Sequence, residues 1–220
     1  MIVEDCWYKK ICHKKCSESC IRFICMRTLF ENSRIPEYMW KNKNLECSEL
    51  DRKAFEQLHA IEDNVEVFVD AGRNVLIHSE ICGNGKTSWS VKIMRKYFDK
   101  IWHLSGFNCH GLFVNVPQFL YNCKRSISQN VEGFEELCNL ISECDLVIWD
   151  DVATGDLTSY EHQILLQYID DRINSGKSNI FTANGNIADL YKKLGDRLSS
   201  RIIRNSECIE LREEDKRSAV

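Results

Sequence analysis

A short strand that runs into Gly83-Asn84-Gly85-Lys86-Thr87-Ser88 and on into an amphipathic helix constrains this chain more than any other segment. The strand is the apolar run Val75-Leu76-Ile77-His78, and the helix is expected over 86–98. A glycine-containing loop between strand and helix is the setting a phosphate-binding loop requires, because backbone N–H groups at a helix N-terminus face an anion. Gly83 and Gly85 let the backbone curl around a β-phosphate, with Asn84 and Ser88 completing the nucleotide-binding segment. Lys86 then reaches the β- and γ-phosphates, and the Thr87 hydroxyl binds Mg²⁺. The first glycine of the usual loop pattern falls at position 80, where this chain has Glu80. A site that binds nucleotide without turning it over is therefore a competing expectation, and a plain helix-capping loop is the bland one.

The rest of the chain supplies a sheet for such a loop. Apolar runs at 74–78, 112–116, 145–149, 179–183 and 207–211 alternate with helical stretches at 86–98, 118–123, 134–141, 160–175, 187–194 and 196–204. Another helical stripe, Phe55, Leu58, Ile61, Val65, Phe68 and Val69, precedes the first run and closes at Ala71-Gly72. This alternation predicts an α/β fold with a mainly parallel five-stranded sheet covered on both faces. The 220 residues suffice for one sizeable core plus a small appendage. No run approaches the roughly 18–20 apolar residues of a membrane span, and the N-terminus lacks the basic start and apolar stretch of a secretory signal. A cytoplasmic protein with no membrane partner is expected. The net charge of −4 argues against a polycation that coats nucleic acid, but it is silent about a local basic groove.

Asp145-Leu146-Val147-Ile148-Trp149-Asp150-Asp151 is an apolar strand that ends in two carboxylates, about 60 residues beyond the glycine loop. Alone it reads as a strand entering an acidic turn. Paired with Lys86-Thr87 it reads as the magnesium half of an NTPase, with Asp150 on the metal and Asp151 orienting and deprotonating water. Asn184 ends the run Asn179-Ile180-Phe181-Thr182-Ala183, where a γ-phosphate sensor would sit. Arg197 and Arg201 lie one turn apart on a helix and suit either a solvated basic stripe or an arginine finger directed at a neighbouring subunit's nucleotide.

Twelve cysteines, five of them (Cys6, Cys12, Cys16, Cys20 and Cys25) within the first 25 residues, set off residues 1–45 from 46–220. Cys6, Cys12, Cys16 and Cys20 are spaced for a structural zinc site, with His13 able to replace one of them and Lys9, Lys10, Lys14 and Lys15 favouring thiolates. On one straight helix Cys12 and Cys20 would stand about 12 Å apart, too far for one Zn²⁺ with thiolates at about 2.3 Å. Zinc thus requires a bend near Cys12; free thiols in a helical hairpin and an iron–sulfur cluster are the alternatives. From about 17 to 32 a helix is expected to bury Ile21, Ile24, Cys25, Thr28 and Leu29, ending at Ser33-Arg34-Ile35-Pro36.

Taken in order, Ile35-Pro36, Gly-Asn-Gly-Lys-Thr-Ser, the Ile-Trp-Asp-Asp strand end, Thr-Ala-Asn and Arg-Leu-Ser-Ser-Arg-Ile resemble the AAA+ ATPases of the bacterial and phage helicase-loader group (DnaC/DnaI type). The related insertion-sequence (IstB-type) ATPases share the layout. The resemblance spans about residues 34–212 and implies an AAA+ core without a helical lid, since the residues after the last run are too few for one. It implies ATP as the nucleotide, Asp150 and Asp151 as the acidic pair, Asn184 as sensor and Arg201, then Arg197, as finger. It also implies head-to-tail assembly, contact with single-stranded DNA and delivery of a replicative helicase in DNA replication. Phe119, Tyr121, Lys124 and Arg125 lie where such loaders touch DNA, and residues 1–33 are the candidate partner surface. The rivals are a transposition ATPase on duplex DNA and a P-loop small-molecule kinase.

Overall fold

The computed structural model describes residues 6–9, 11–13, 17–41, 45–106, 108–153 and 155–213. Five parallel strands, β1 (Asn74–Ser79), β2 (Gly111–Asn115), β3 (Leu146–Asp150), β4 (Ser178–Asn184) and β5 (Ser206–Glu210), form one sheet in the order β2-β3-β4-β1-β5. Strands β1 to β4 are largely apolar because both faces are covered, as parallel sheets demand, whereas the edge strand β5 exposes Glu207 and Cys208. Val75 and Ile77 of β1 join one hydrophobic cluster and Leu76 the other, as the two-residue side-chain period requires.

The first cluster is roofed by α1 (Ile21–Asn32), α2 (Arg52–Asp63), α3 (Val65–Asp70) and α4 (Lys86–Ile101). The second is roofed by α5 (Val116–Ser126), α6 (Phe134–Glu143), α7 (Ser159–Asn174) and α8 (Ile187–Ile202). Helix α8 joins the two stretches expected at 187–194 and 196–204, with non-helical φ/ψ at Gly195 marking a kink between them. Val116, expected to end a strand, instead opens α5, because the Asn115 side chain accepts the Gln118 N–H and caps the helix there. Among the described residues no helix is long and apolar enough to cross a membrane.

The face of α1 differs from expectation. Its buried residues are Phe23, Met26, Leu29 and Phe30, whereas Ile21 is exposed, Ile24 is at the margin and Cys25 is only partly covered. Apolar residues run around most of this helix, so its partners decide which side is buried. Phe30 stacks on Trp7 with centroids 5.0 Å apart and meets Phe98 of α4 edge-on at 5.4 Å. Trp7 donates to Trp40 O, and Trp40 donates to Ile35 O. Arg22 pairs with Asp99 of α4 at 2.5 Å and lies over the Tyr8 ring, whose hydroxyl also reaches Asp99. Trp7, Tyr8 and α1 are thereby seated on α4, and Tyr8, Met26, Leu29, Phe30, Ile35 and Trp40 share a core with β1 and α4.

Candidate nucleotide-binding site

Strands β1, β3 and β4 all run the same way, so their carboxyl ends deliver Ser79, Asp150 and Asn184 to one edge of the sheet. The loop after β1 is tied from inside. Ser79 Oγ accepts from Ile81 N–H and from the Asn84 side chain, which also donates to Leu211 O beyond β5. Gly85 has φ 104°, a region closed to most L-residues, and it opens α4 with no side-chain cap. The first N–H groups of α4 are therefore presented without a capping side chain, as an anion-binding turn requires.

Lys86 is buried, and its ammonium donates to Ile81 O at 2.9 Å and to Asn84 Oδ1 at 3.2 Å. The loop's own acceptors hold that charge in the mouth of the turn. Among the described non-glycine residues only Arg34 and Asp151 have positive φ, so Glu80 occupies its place without needing glycine's freedom. Its carboxylate accepts from the Asn186 side chain at 2.6 Å, at the N-cap of α8.

The acidic strand end meets this loop through a chain of hydroxyls and amides. Thr87 Oγ1 donates to Asp150 Oδ1 at 2.8 Å, and Thr182 Oγ1 donates to the same oxygen at 2.8 Å. Thr182 Oγ1 also accepts the backbone N–H of Asp151. Asp151 adopts φ 61°, a strained value for a residue with a side chain, and its carboxylate accepts from Asn184 Nδ2 at 3.0 Å. The structure thus brings Lys86, Thr87, Asp150, Asp151 and Asn184 together. Thr182, the residue that links the two carboxylates, carried no role in the sequence reading; its only signal was a hydroxyl two residues before the strand-end asparagine.

Burial raises the pKa of Asp150, opposed by the hydroxyls of Thr182 and Thr87 and reinforced by the adjacent Asp151. Two hard oxygen donors at 2.8 Å, one of them a carboxylate made costly by burial, fit a divalent magnesium ion. The sign follows from linkage. A carboxyl whose pKa is raised by folding binds more protons in the native chain, so its ionisation costs stability as pH rises through the window above the ordinary value. Asp150→Asn is therefore expected to raise the melting temperature of the nucleotide-free protein at neutral pH, on a scale of roughly 2–4 °C per kcal/mol for a chain of this size. A lowered melting temperature in thermal unfolding would show that Asp150 stabilises the apo fold instead.

The solved structure of the DnaC helicase loader superposes on this chain with a TM-score of 0.65, at 18% identity, covering 80% of this chain and 99% of that one. The fold is that of the DnaC helicase loader. A curated relative, the replicative helicase loader DnaC of Escherichia coli K12, is 23% identical over 150 residues, which cover 68% of this chain and 55% of the relative. The chain thus spans about half the length of the curated relatives it matches. A DnaA replication initiator bound to AMPPCP and single-stranded DNA superposes with a TM-score of 0.60 at 16% identity, covering 77% of this chain and 49% of that one. No family model matches.

Other expected sites stand apart from the sheet edge that carries Ser79, Asp150 and Asn184. Arg201 is paired with the Asp170 carboxylate across α7 and α8, and with Arg197 and Arg204 it lines an open cavity of about 540 Å³ beside Tyr191 and Asp196. No contact described for the carboxylate chain involves these arginines. On α5, Phe119 is in the core and Lys124 is paired with Glu161 at 2.9 Å, so Tyr121 and Arg125 are the pair turned to solvent, the guanidinium 5.7 Å from the ring. That corrects the expectation of two aromatics on this surface: the helical period places Phe119 inward against Trp149 and Tyr168. Of the expected zinc ligands, Cys16 lies outside the described residues, Cys12 and Cys20 are exposed and Cys6 packs against the core. Among the described residues no group of three or more His, Cys, Asp or Glu gathers around a metal position.

Proposed function

We propose that this protein is an ATP-hydrolysing loader of a replicative helicase, acting in DNA replication on single-stranded DNA. The observation that carries the reading is the linked set Thr87–Asp150–Thr182–Asp151–Asn184 beside a buried Lys86. A binding-only module has no need of a second carboxylate held in a strained backbone and aimed at a strand-end amide. Lys86 exchanges the carbonyl and amide oxygens that now hold it for phosphate oxygens, and the N–H groups of residues 83–87 surround the phosphate. Thr87 and Asp150 would hold magnesium, which would supply positive charge against the phosphates. Asp151 accepts the proton of the attacking water, with Asn184 fixing the orientation of its carboxylate.

Arg201 is the residue we assign as the finger for a neighbouring copy, with Arg197 second, since both sit on the face of α8 that lines the cavity rather than at the chain's own phosphate edge. The assembly is head-to-tail, because a finger that serves another subunit's site requires a heterologous contact. Tyr121 and Arg125 offer a stacking ring and a cation to single-stranded DNA. Residues 1–33 are the surface we assign to the helicase.

The test is steady-state ATP hydrolysis across a range of protein concentrations, with and without single-stranded DNA, for the native chain and Arg201→Ala. Native turnover per chain should rise with concentration and with DNA, and the variant should lose roughly 10³–10⁵-fold. Turnover independent of concentration and untouched by Arg201→Ala would point to a self-sufficient phosphotransferase and overturn the loader reading.

A further inference from the structure

We propose that Cys109 and Cys144 form a peroxide-oxidisable thiol pair, a disulfide-forming modification site at the end of the sheet opposite the nucleotide edge. Cys109 leads through His110 into β2, and Cys144 caps α6 and leads through Asp145 into β3. Their sulfurs stand 3.2 Å apart, closer than two unbonded sulfurs rest without a hydrogen bond, and Cys144 Sγ also donates toward Cys109 O at 3.3 Å. The backbones beside them are already clamped. Asp145 N–H and Leu146 N–H both donate to His110 O at 3.1 Å, and β2 pairs with β3 from Gly111↔Leu146 onward. Reaching a sulfur–sulfur bond of about 2.05 Å therefore asks for roughly 1 Å of side-chain movement and no change of strand register.

The two thiols are differentiated for the reaction. Cys144 is almost fully buried, and its hydrogen bond to Cys109, with burial, raises its pKa. Cys109 is partly exposed, and the hydrogen bond from Cys144 lowers its pKa against the opposing effect of burial, aided by the charge of Arg34. Cys109 is thus the attacking thiolate and Cys144 the resolving thiol. The Cys109 thiolate attacks hydrogen peroxide, breaking the O–O bond to give a sulfenic acid and hydroxide. The Cys144 sulfur then displaces that hydroxyl: the new S–S bond forms, the S–O bond breaks, and the Cys144 proton leaves with the hydroxyl as water. Peroxide is reduced by two electrons and the thiol pair is oxidised by two. In a reducing compartment the pair rests as thiols, and oxidation closes a cross-link between β2 and β3 that the native geometry tolerates.

The full-length protein is treated with hydrogen peroxide, its remaining thiols are alkylated, and tryptic peptides are analysed by mass spectrometry. Cleavage after Lys100, Lys124, Arg125 and Arg172 places Cys109 with Cys123 on one peptide and Cys144 with Cys138 on another. A linked peptide pair alone is ambiguous, so fragment ions and the C109S, C144S and C123S variants assign the bond. The expected result is a cross-link that persists in C123S and vanishes in both C109S and C144S. The oxidised native chain should also melt roughly 5–15 °C higher than its reduced form, a gain absent in C109S. Should C144S fail to fold, the partly exposed Cys109 still gives the decisive variant. A cross-link that survives in C109S, or Cys109 recovered only as the free thiol or the sulfinic acid, would overturn the proposal.

Discussion

Asp151→Asn is expected to lower ATP turnover by roughly 10²–10⁴-fold while leaving nucleotide affinity nearly unchanged. The asparagine keeps an oxygen for Asn184 Nδ2 and keeps the backbone N–H that Thr182 Oγ1 accepts, so the local geometry survives the change. It removes only the group able to take a proton. Asp150 and Thr87, proposed to hold magnesium, and Lys86, proposed to hold phosphate, are untouched. Turnover measured beside binding of a fluorescent ATP analogue separates the two effects. Loss of both together would mean that Asp151 shapes the site; loss of neither would mean that water is activated elsewhere.

The second large effect concerns stability. Arg172 of α7 is 1% exposed and has no carboxylate partner among its described contacts. Its guanidinium donates to Ile141 O, Cys144 O, Asp145 O, Ser178 O and Asn179 Oδ1, gathering the C-terminus of α6 and the starts of β3 and β4. Burial pushes its pKa down to about 10, so it stays charged at neutral pH. Arg172→Met fills much of the volume but leaves buried oxygens without donors, each worth about 1–3 kcal/mol. The expected loss is on the order of 3–5 kcal/mol in urea unfolding, with nucleotide affinity retained in the fraction that folds, because Arg172 sits at the far end of the strands from Asp150. A loss below about 1 kcal/mol would mean that water enters and satisfies those carbonyls.

Neither of these residues was equally legible in the sequence. Asp151 announces itself, because an apolar strand that ends in two carboxylates after a glycine–lysine loop has few other uses. Arg172 does not, because one arginine in a polar-looking helix gives no sign that five acceptors converge on it. The inner strands were legible for a physical reason: β1 and β3 carry apolar runs bounded by polar turns, which is how a strand buried on both faces must read. Helix α1 was legible as a helix but not in its orientation. Ile21, Ile24 and Cys25 form as good an apolar stripe as Phe23, Met26 and Phe30, and only Trp7, Trp40 and Phe98 decide between them. The same holds for Thr182, whose hydroxyl matters because β3 and β4 lie side by side, a fact of pairing rather than of local pattern.

Helix α4 begins at the phosphate loop and ends in the embrace of Arg22, Tyr8 and Phe30. Its 16 residues make a rod about 24 Å long, buried along one side against the sheet. A rod of that kind transmits push and tilt far better than it bends. The group of Arg22, Tyr8 and Phe30 and the glycine loop of residues 83–85 are therefore the two handles of a single lever, held at a fixed separation and sharing one axis.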